Sequence, residues 1–255
     1  MYHENHGMAN ARAKLAIVLF AAAALCIAAA ALREPRPDAL PGFPRLVLWA
    51  WEIPERMPFL DPHTTGVAFL ARTIRWRTGG VESRPRLQPL SVPPGTPLMA
   101  VVRLESAGGP LPFAGLVAGE AARDAALPGV RALQIDFDAR LSERAWYRDM
   151  LQRLRDRLPA DMPLEITALA SWCQGDRWMQ GLPVSDAVPM LFQMGPGQTY
   201  AGGDFREPLC RAALGISPNE LPRAVPRGRR LFLFYSRPWT AETWRGALQL
   251  AGRFR

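Results

Sequence analysis

Histidine, lysine and cysteine are scarce in this chain of 255 residues, and each scarcity removes a class of chemistry. Beyond the first few residues the only histidine is His63, in a loop-like DPHTTG turn. One histidine cannot assemble a three-histidine or histidine–carboxylate zinc site, so no metal is expected. A Ser-His-Asp triad would have to recruit His63, and no G-x-S-x-G elbow occurs. Lys14 is the only lysine, so the body of the chain lacks the P-loop lysine, and no G-x-G-x-x-G follows a strand. No cofactor is expected. The formal charge of +8 is carried almost wholly by arginine, a skew that reflects coding bias more than a partner. With no dense arginine run interleaved with aromatics, nucleic acid is not an expected partner, while weak attraction to anionic lipid or polysaccharide stays open. What remains is carboxylate chemistry, or no chemistry.

The 3 cysteines divide by position. Cys26 lies in the uncharged run 15–32, LAIVLFAAAALCIAAAAL, preceded by Arg12 and Lys14 and followed by Arg33-Glu34-Pro35. A basic start, an apolar run and small residues near its end describe a secretory signal. The run is also long enough to span a bilayer as an uncleaved anchor. Residues 1–33 are therefore read as signal peptide or anchor, with the mature chain starting between Ala29 and Asp38, and the location as periplasmic or extracellular, or tethered to the inner membrane by 15–32. Leu25 stands where a lipoprotein signal needs a small residue, so lipidation at Cys26 is rejected. Cys173 and Cys210 remain, and in an exported domain they most simply form one disulfide, the alternative being two buried thiols.

Residues 34–44 read as a proline-rich linker and 45–255 as one domain, since 49% hydrophobic and 21% charged residues describe a globular body. Near-continuous apolar runs at 46–52, 66–73, 98–105, 132–138, 164–171, 187–195 and 230–236, with a short eighth at 214–217, suit parallel strands covered by helices. Helices are expected at 142–158, capped by Ser142, at 112–127, and from Thr240 onward. The stretch 74–97, rich in proline and glycine, reads as a long loop in place of a helix. This alternation predicts the α/β class, a (β/α)8-like (TIM-type) barrel with irregular or missing helices, after an N-terminal hydrophobic segment.

Strand alternation then places the chemistry. In 133–138, LQIDFD, the apolar Leu133, Ile135 and Phe137 share one face, and Gln134, Asp136 and Asp138 the other. In 98–105, Arg103 and Glu105 likewise share a face. Barrel enzymes keep their active sites at strand C-termini, so Asp138, Asp136 and Glu105 are the candidate catalytic carboxylates, with Arg103 holding a neighbour ionised. Crowded carboxylates have pKa values pushed apart, which supplies one proton donor and one anion, as glycoside cleavage requires. Asp138 with Glu105 is the favoured pair. The alternative is an Asp/Arg network that only ties strands together. Trp49, Trp51, Trp172, Trp178 and Tyr235 lie at or beyond strand ends, where rings could stack on sugars, and Glu52 and Gln193 are further candidate contacts. Trp49, Glu52, Arg103, Trp172, Gln193 and Tyr235 form the expected substrate-binding set.

Taken together, WAWEIPE, GVAFLART, LQIDFDAR, ITALASWC, VPMLFQMG and FLFYSRPW resemble a bacterial family of exported domains of unknown function, grouped by fold with the glycosidase barrels. The resemblance covers residues 45–239 and implies a (β/α)8-like barrel in a carbohydrate-active superfamily. It supplies no reaction. The IDFD strand is also similar to the fourth strand of chitinase-like barrels, which ends D-x-D-x-E. Here Arg140 stands at the glutamate position and Leu133 where a preceding aspartate would be, which argues against that mechanism and leaves the acid to another strand, with Glu105 or Glu52 as candidates. Three functions stay open: a hydrolase or transglycosylase on an extracytoplasmic polysaccharide, a degenerate barrel that binds glycan or envelope polymer, and an interaction protein held to the membrane by its N-terminal segment.

Overall fold

The computed structural model describes residues 38–195, 200, 202–224 and 226–254. The expected signal or anchor, its cleavage window and the first part of the linker lie outside the described residues. Among those described, no helix is long and apolar enough to cross a membrane.

In chain order the elements are β1 (Leu46–Ala50), β2 (Glu55–Arg56), β3 (Thr65–Arg77), β4 (Gly80–Pro85), β5 (Leu90–Ser91), β6 (Leu98–Ser106), α1 (Ala114–Ala125), β7 (Val130–Asp136), α2 (Arg144–Arg155), β8 (Leu164–Leu169), α3 (Ala170–Gln174), β9 (Asp186–Met190), β10 (Ala213–Ile216), β11 (Arg230–Leu233) and α4 (Ala241–Arg253). Strands β1, β3, β6, β7, β8, β9, β10 and β11 pair in parallel in that order, and β1 pairs with both β3 and β11. The result is a closed eight-stranded parallel barrel with few helices. All eight predicted strands are present, several of them shorter at the C-terminal end than their apolar runs. Closure leaves no edge except where β4 pairs antiparallel to the far end of β3.

Alternation along the strands builds two cores. Leu133 and Ile135 of β7, Ala100 and Val102 of β6, and Ile166 of β8 face outward into the layer that α1, α2 and α4 cover. Met99, Val101, Ala132, Val188 and Trp49 face the lumen. The Trp49 indole fits because Gly215 lies opposite it: a Cβ there would stand 2.7 Å from the ring. Of the expected linker, residues 38–44 belong to the fold. Leu40 and Phe43 are buried in the inner core, and Arg230 donates to the carbonyls of Pro44, Leu40 and Phe43 while pairing with Asp38, which closes the N-terminal end of the barrel.

Two expectations are corrected. The stretch 74–97 is no open loop: β3 runs on to Arg77 and returns as β4. Residues 74–77 alternate, with Ile74 and Trp76 buried and Arg75 and Arg77 exposed, a strand pattern that the neighbouring prolines and glycines obscured. Ser142 does not cap its helix, because a 3-10 turn, Leu141–Glu143, precedes α2 and the Glu143 carboxylate accepts the Arg140 N–H at 2.8 Å. Thr240 does cap α4, accepting the Thr243 N–H at 3.2 Å.

Beneath the mouth, β7, β8 and β9 bring Gln134, Glu165 and Asp186 into register inside the barrel, all fully buried. Trp49 Nε1–H donates to Gln134 at 2.9 Å, and Gln134 donates to Glu165 at 3.3 Å. Burial first, then the charge of Asp186, pushes the Glu165 carboxyl well above its ordinary value of 4.5, and Arg230 only partly opposes them. The native state therefore holds a proton that the unfolded chain releases, and stability falls as pH rises from 4.5 through the raised native value. Glu165→Gln, a neutral isostere, is expected to flatten this dependence and to raise Tm at neutral pH by about 2–4 °C. Thermal unfolding from about pH 5 to pH 8 checks it, and a variant with the wild-type slope would assign the dependence elsewhere.

Candidate active site at the strand C-termini

β7 sets the site. Phe137 is buried outside the barrel, 5.1 Å from Tyr147 and 5.4 Å from Trp76, and this anchors the alternation that turns Asp136 inward and leaves Asp138 exposed at the rim. Asp136 lies deeper, its carboxylate accepting the Thr167 hydroxyl at 2.8 Å. Arg103, one strand over on β6, comes within 4.0 Å of Asp136 and bonds Glu105 at 2.9 Å. The guanidinium also lies over the Trp51 ring, 5.6 Å from its centroid.

Asp136, Asp138, Thr167 and Arg103 wall one side of a cleft of about 380 Å³ at the C-terminal mouth. The other side is aromatic. Phe192 stacks on Phe234 at 5.1 Å and 3°, Trp51 meets Phe234 edge-on at 6.2 Å, and Trp49 lies below. Trp51 owes its position to Arg86, whose guanidinium donates to the carbonyls of Trp51, Ile53 and Gln88 and so fixes the chain just beyond β1. Gln193 lines the rim in a left-handed conformation, φ 52°, with its N–H donated to Glu220 at 3.0 Å.

Burial is the main cause of a raised Asp136 pKa, and the charges of Asp138 and Glu105 add to it, while Arg103 and the Thr167 hydrogen bond pull it down. Asp138, though exposed at the rim, is crowded by protein within the concavity, which raises its pKa too, opposed by Arg103. The mouth thus holds two carboxyl groups readier to carry a proton than free ones, tied to one cation.

Of the predicted residues, Asp136, Asp138, Arg103, Trp49, Trp51 and Gln193 come together at this cleft. Glu105 does not enter it. Held by Arg75 and by Arg103, it faces a neighbouring groove, so the carboxylate nearest in the chain to Asp138 within the cleft is Asp136. Glu52 points away into an ion pair with Arg84 at 2.7 Å. Trp172 is buried outside the barrel, edge-on to Trp178 at 4.9 Å and beneath Arg144. β8 ends at Leu169 and turns at once into α3, which carries this ring away from the mouth. Tyr235 packs on Trp239 at 5.4 Å, beside α4. Thr167, Phe192 and Phe234 line the cleft without having been singled out. Thr167 was readable as the inward neighbour of Glu165 two residues on, whereas a strand-end phenylalanine looks the same in sequence whether it lines a cleft or fills a core.

Among the described residues no three histidine, cysteine or carboxylate side chains gather in a way that would hold a metal ion. No family profile, no curated protein and no solved structure matches the chain.

Proposed function

We propose that the chain is an exported, glycosidase-like barrel that takes an extracytoplasmic polysaccharide into the cleft at its strand C-termini. The observation that carries this reading is the two-sided wall: aromatic rings on one side, and Asp136, Asp138 and Arg103 on the other. A sugar ring offers an apolar C–H face and a fringe of hydroxyls, and a cleft of this make-up satisfies both. In the hydrolytic form of the reading, Asp136, the more buried carboxyl, holds the proton delivered to the leaving oxygen. Asp138, at the wetter rim, is the anion that activates water or steadies positive charge on the sugar. Arg103 keeps the pair from being neutral together. The Cys173–Cys210 bridge, described below, fits an oxidising compartment, in keeping with a periplasmic or extracellular site of action.

A second reading, glycan binding without cleavage, is favoured by one specific feature. Asp136 ends β7 and Asp138 follows two residues beyond it, so the two share a wall, whereas two-carboxylate hydrolysis places its carboxyls on either side of the scissile bond. Either way Trp51 is a stacking platform. Trp51→Ala is expected to weaken binding to the glycan retained by wild type by about five- to tenfold, with little change in Tm. Glycan-array screening followed by titration calorimetry measures this. Retention of no glycan at all, or equal affinity in the variant, would remove the carbohydrate reading.

A further inference from the structure

We infer that the cleft continues into a groove whose two exposed arginines, Arg77 and Arg140, select an acidic polysaccharide, one carrying carboxylates along its length. This rests on the carbohydrate reading above and specifies its substrate class.

The groove, about 460 Å³, opens beside the cleft and shares Arg103, Asp136 and Asp138 with it, so one chain could occupy both. Its far wall is the extension of β3, which rises beyond the barrel. Burial of Trp76, 5.1 Å from Trp146 and 5.4 Å from Phe137, forces its neighbours Arg75 and Arg77 to the opposite face, into the groove. The wall is braced. Ala107 N–H donates to the Trp76 carbonyl at 2.9 Å, and Gly109, at φ 89°, lies so close to the hairpin turn that a Cβ would stand 2.6 Å from Thr78 N. On the other side stands Arg140, in the segment between β7 and the 3-10 turn at Leu141–Glu143.

Arginines and carboxylates both line the groove, but they are engaged unequally. Glu105 is bonded to Arg75 and to Arg103. Glu143 is buried and turned back on the Arg140 N–H. Asp136 and Asp138 stand where the groove meets the cleft and line both, Asp136 within 4.0 Å of Arg103. Arg77 and Arg140 are both exposed, and neither forms an ion pair with any described residue, so the groove presents two uncommitted guanidiniums. A guanidinium fork matches a carboxylate in two-point geometry, and beside a stacking cleft that describes recognition of a uronate-containing chain rather than general stickiness toward anions.

The test uses polygalacturonate, alginate and hyaluronate oligomers, each beside its carboxyl-reduced neutral form, with the wild-type mature domain, Arg77→Gln/Arg140→Gln, and a charge-matched control, Arg131→Gln/Arg157→Gln. Arg131 opens β7 and Arg157 follows α2, so both control residues lie at the opposite end of the barrel. At least one acidic oligomer should bind wild type and the control at least tenfold more tightly than its reduced form. The groove variant should lose that preference while keeping the wild-type Tm. Equal affinity for the acidic and reduced forms, or equal losses in groove variant and control, overturns the inference. If neutral glycans bind in a Trp51-dependent way regardless of charge, the cleft reading survives and only the acidic specificity falls. If nothing binds, both fall together.

Discussion

On the hydrolytic reading, Asp138→Asn is expected to lower turnover of a polysaccharide by about 10²–10⁴-fold while leaving the fold intact, the range for loss of one general acid–base group. The side chain stands exposed at the rim and makes no ion pair with a described residue, so its amide isostere should keep Tm within a degree or two of wild type. The pH profile carries the sharper signature. The charge of Asp138 is one of the causes that hold the Asp136 pKa up. Removing that charge lets the Asp136 pKa fall, so Asp136 loses its proton at a lower pH. Residual activity in the variant should therefore have its alkaline limb shifted toward acid, a change that mere loosening of the site would not produce. If wild type binds glycan and never cleaves it, the binding reading replaces the hydrolytic one, and Asp138→Asn should then weaken affinity. A variant that melts the domain and leaves ligand handling untouched would make the carboxylates a strand-tying network and end the functional assignment.

The barrel was legible because period-2 alternation combined with near-continuous apolar runs is what a strand buried on both faces imposes on a sequence. Leu133, Ile135 and Phe137 against Gln134, Asp136 and Asp138 is a local pattern, and it locates the site without any knowledge of tertiary partners. Pairing between side chains is a different matter. Whether Glu105 reaches across to Asp138 depends on Arg75, which arrives from the extension of β3, and that extension was hidden among prolines and glycines. Arginine's choice among several nearby carboxylates is decided by register, and register is fixed by closure of the whole sheet. The aromatic wall was half visible for a similar reason. Trp51 follows β1 and faces the cleft, whereas Trp172, equally near a strand end, is turned outward by the immediate start of α3. Strand ends are readable to within two or three residues, and on a strand each residue of error reverses a side chain.

Arg103 links these observations. It touches Glu105, approaches Asp136, lies over Trp51 and lowers the pKa of both aspartates in the cleft. One guanidinium thus joins the acidic wall, the aromatic wall and the neighbouring groove. The Arg103 guanidinium lies nearer Glu105, at 2.9 Å, than Asp136, at 4.0 Å, and at Asp136 burial prevails over its attraction. This explains how a cleft beside an arginine can keep carboxyl pKa values raised instead of depressed.

Replacing both cysteines, Cys173→Ser with Cys210→Ser, is expected to cost about 4 kcal/mol of stability, by the chain-entropy estimate for a loop of this size. The bridge joins α3 to the 3-10 turn before β10, with Cα atoms 5.8 Å apart and a sequence separation of 37. Both cysteines are fully buried, and the Glu207 N–H donates to the Cys173 carbonyl at 3.1 Å beside them, so the two segments are docked as well as bonded. The closed loop carries β9 and, beyond it, Phe192 and Gln193 of the cleft. It also spans the junction of β9 and β10, which pair in register at Gly215 with Met190. Losing the bridge should therefore do two things: lower Tm by about 8–16 °C, and weaken glycan binding more than the stability loss alone explains, because the aromatic wall is no longer held against β10. Calorimetry of the variant, and of wild type with and without reductant, gives the first quantity, and titration well below the lowered Tm gives the second. Two freely alkylated thiols in protein recovered from an oxidising compartment would refute the bridge. A variant of reduced Tm with unchanged affinity would show that β9 keeps its cleft wall without it.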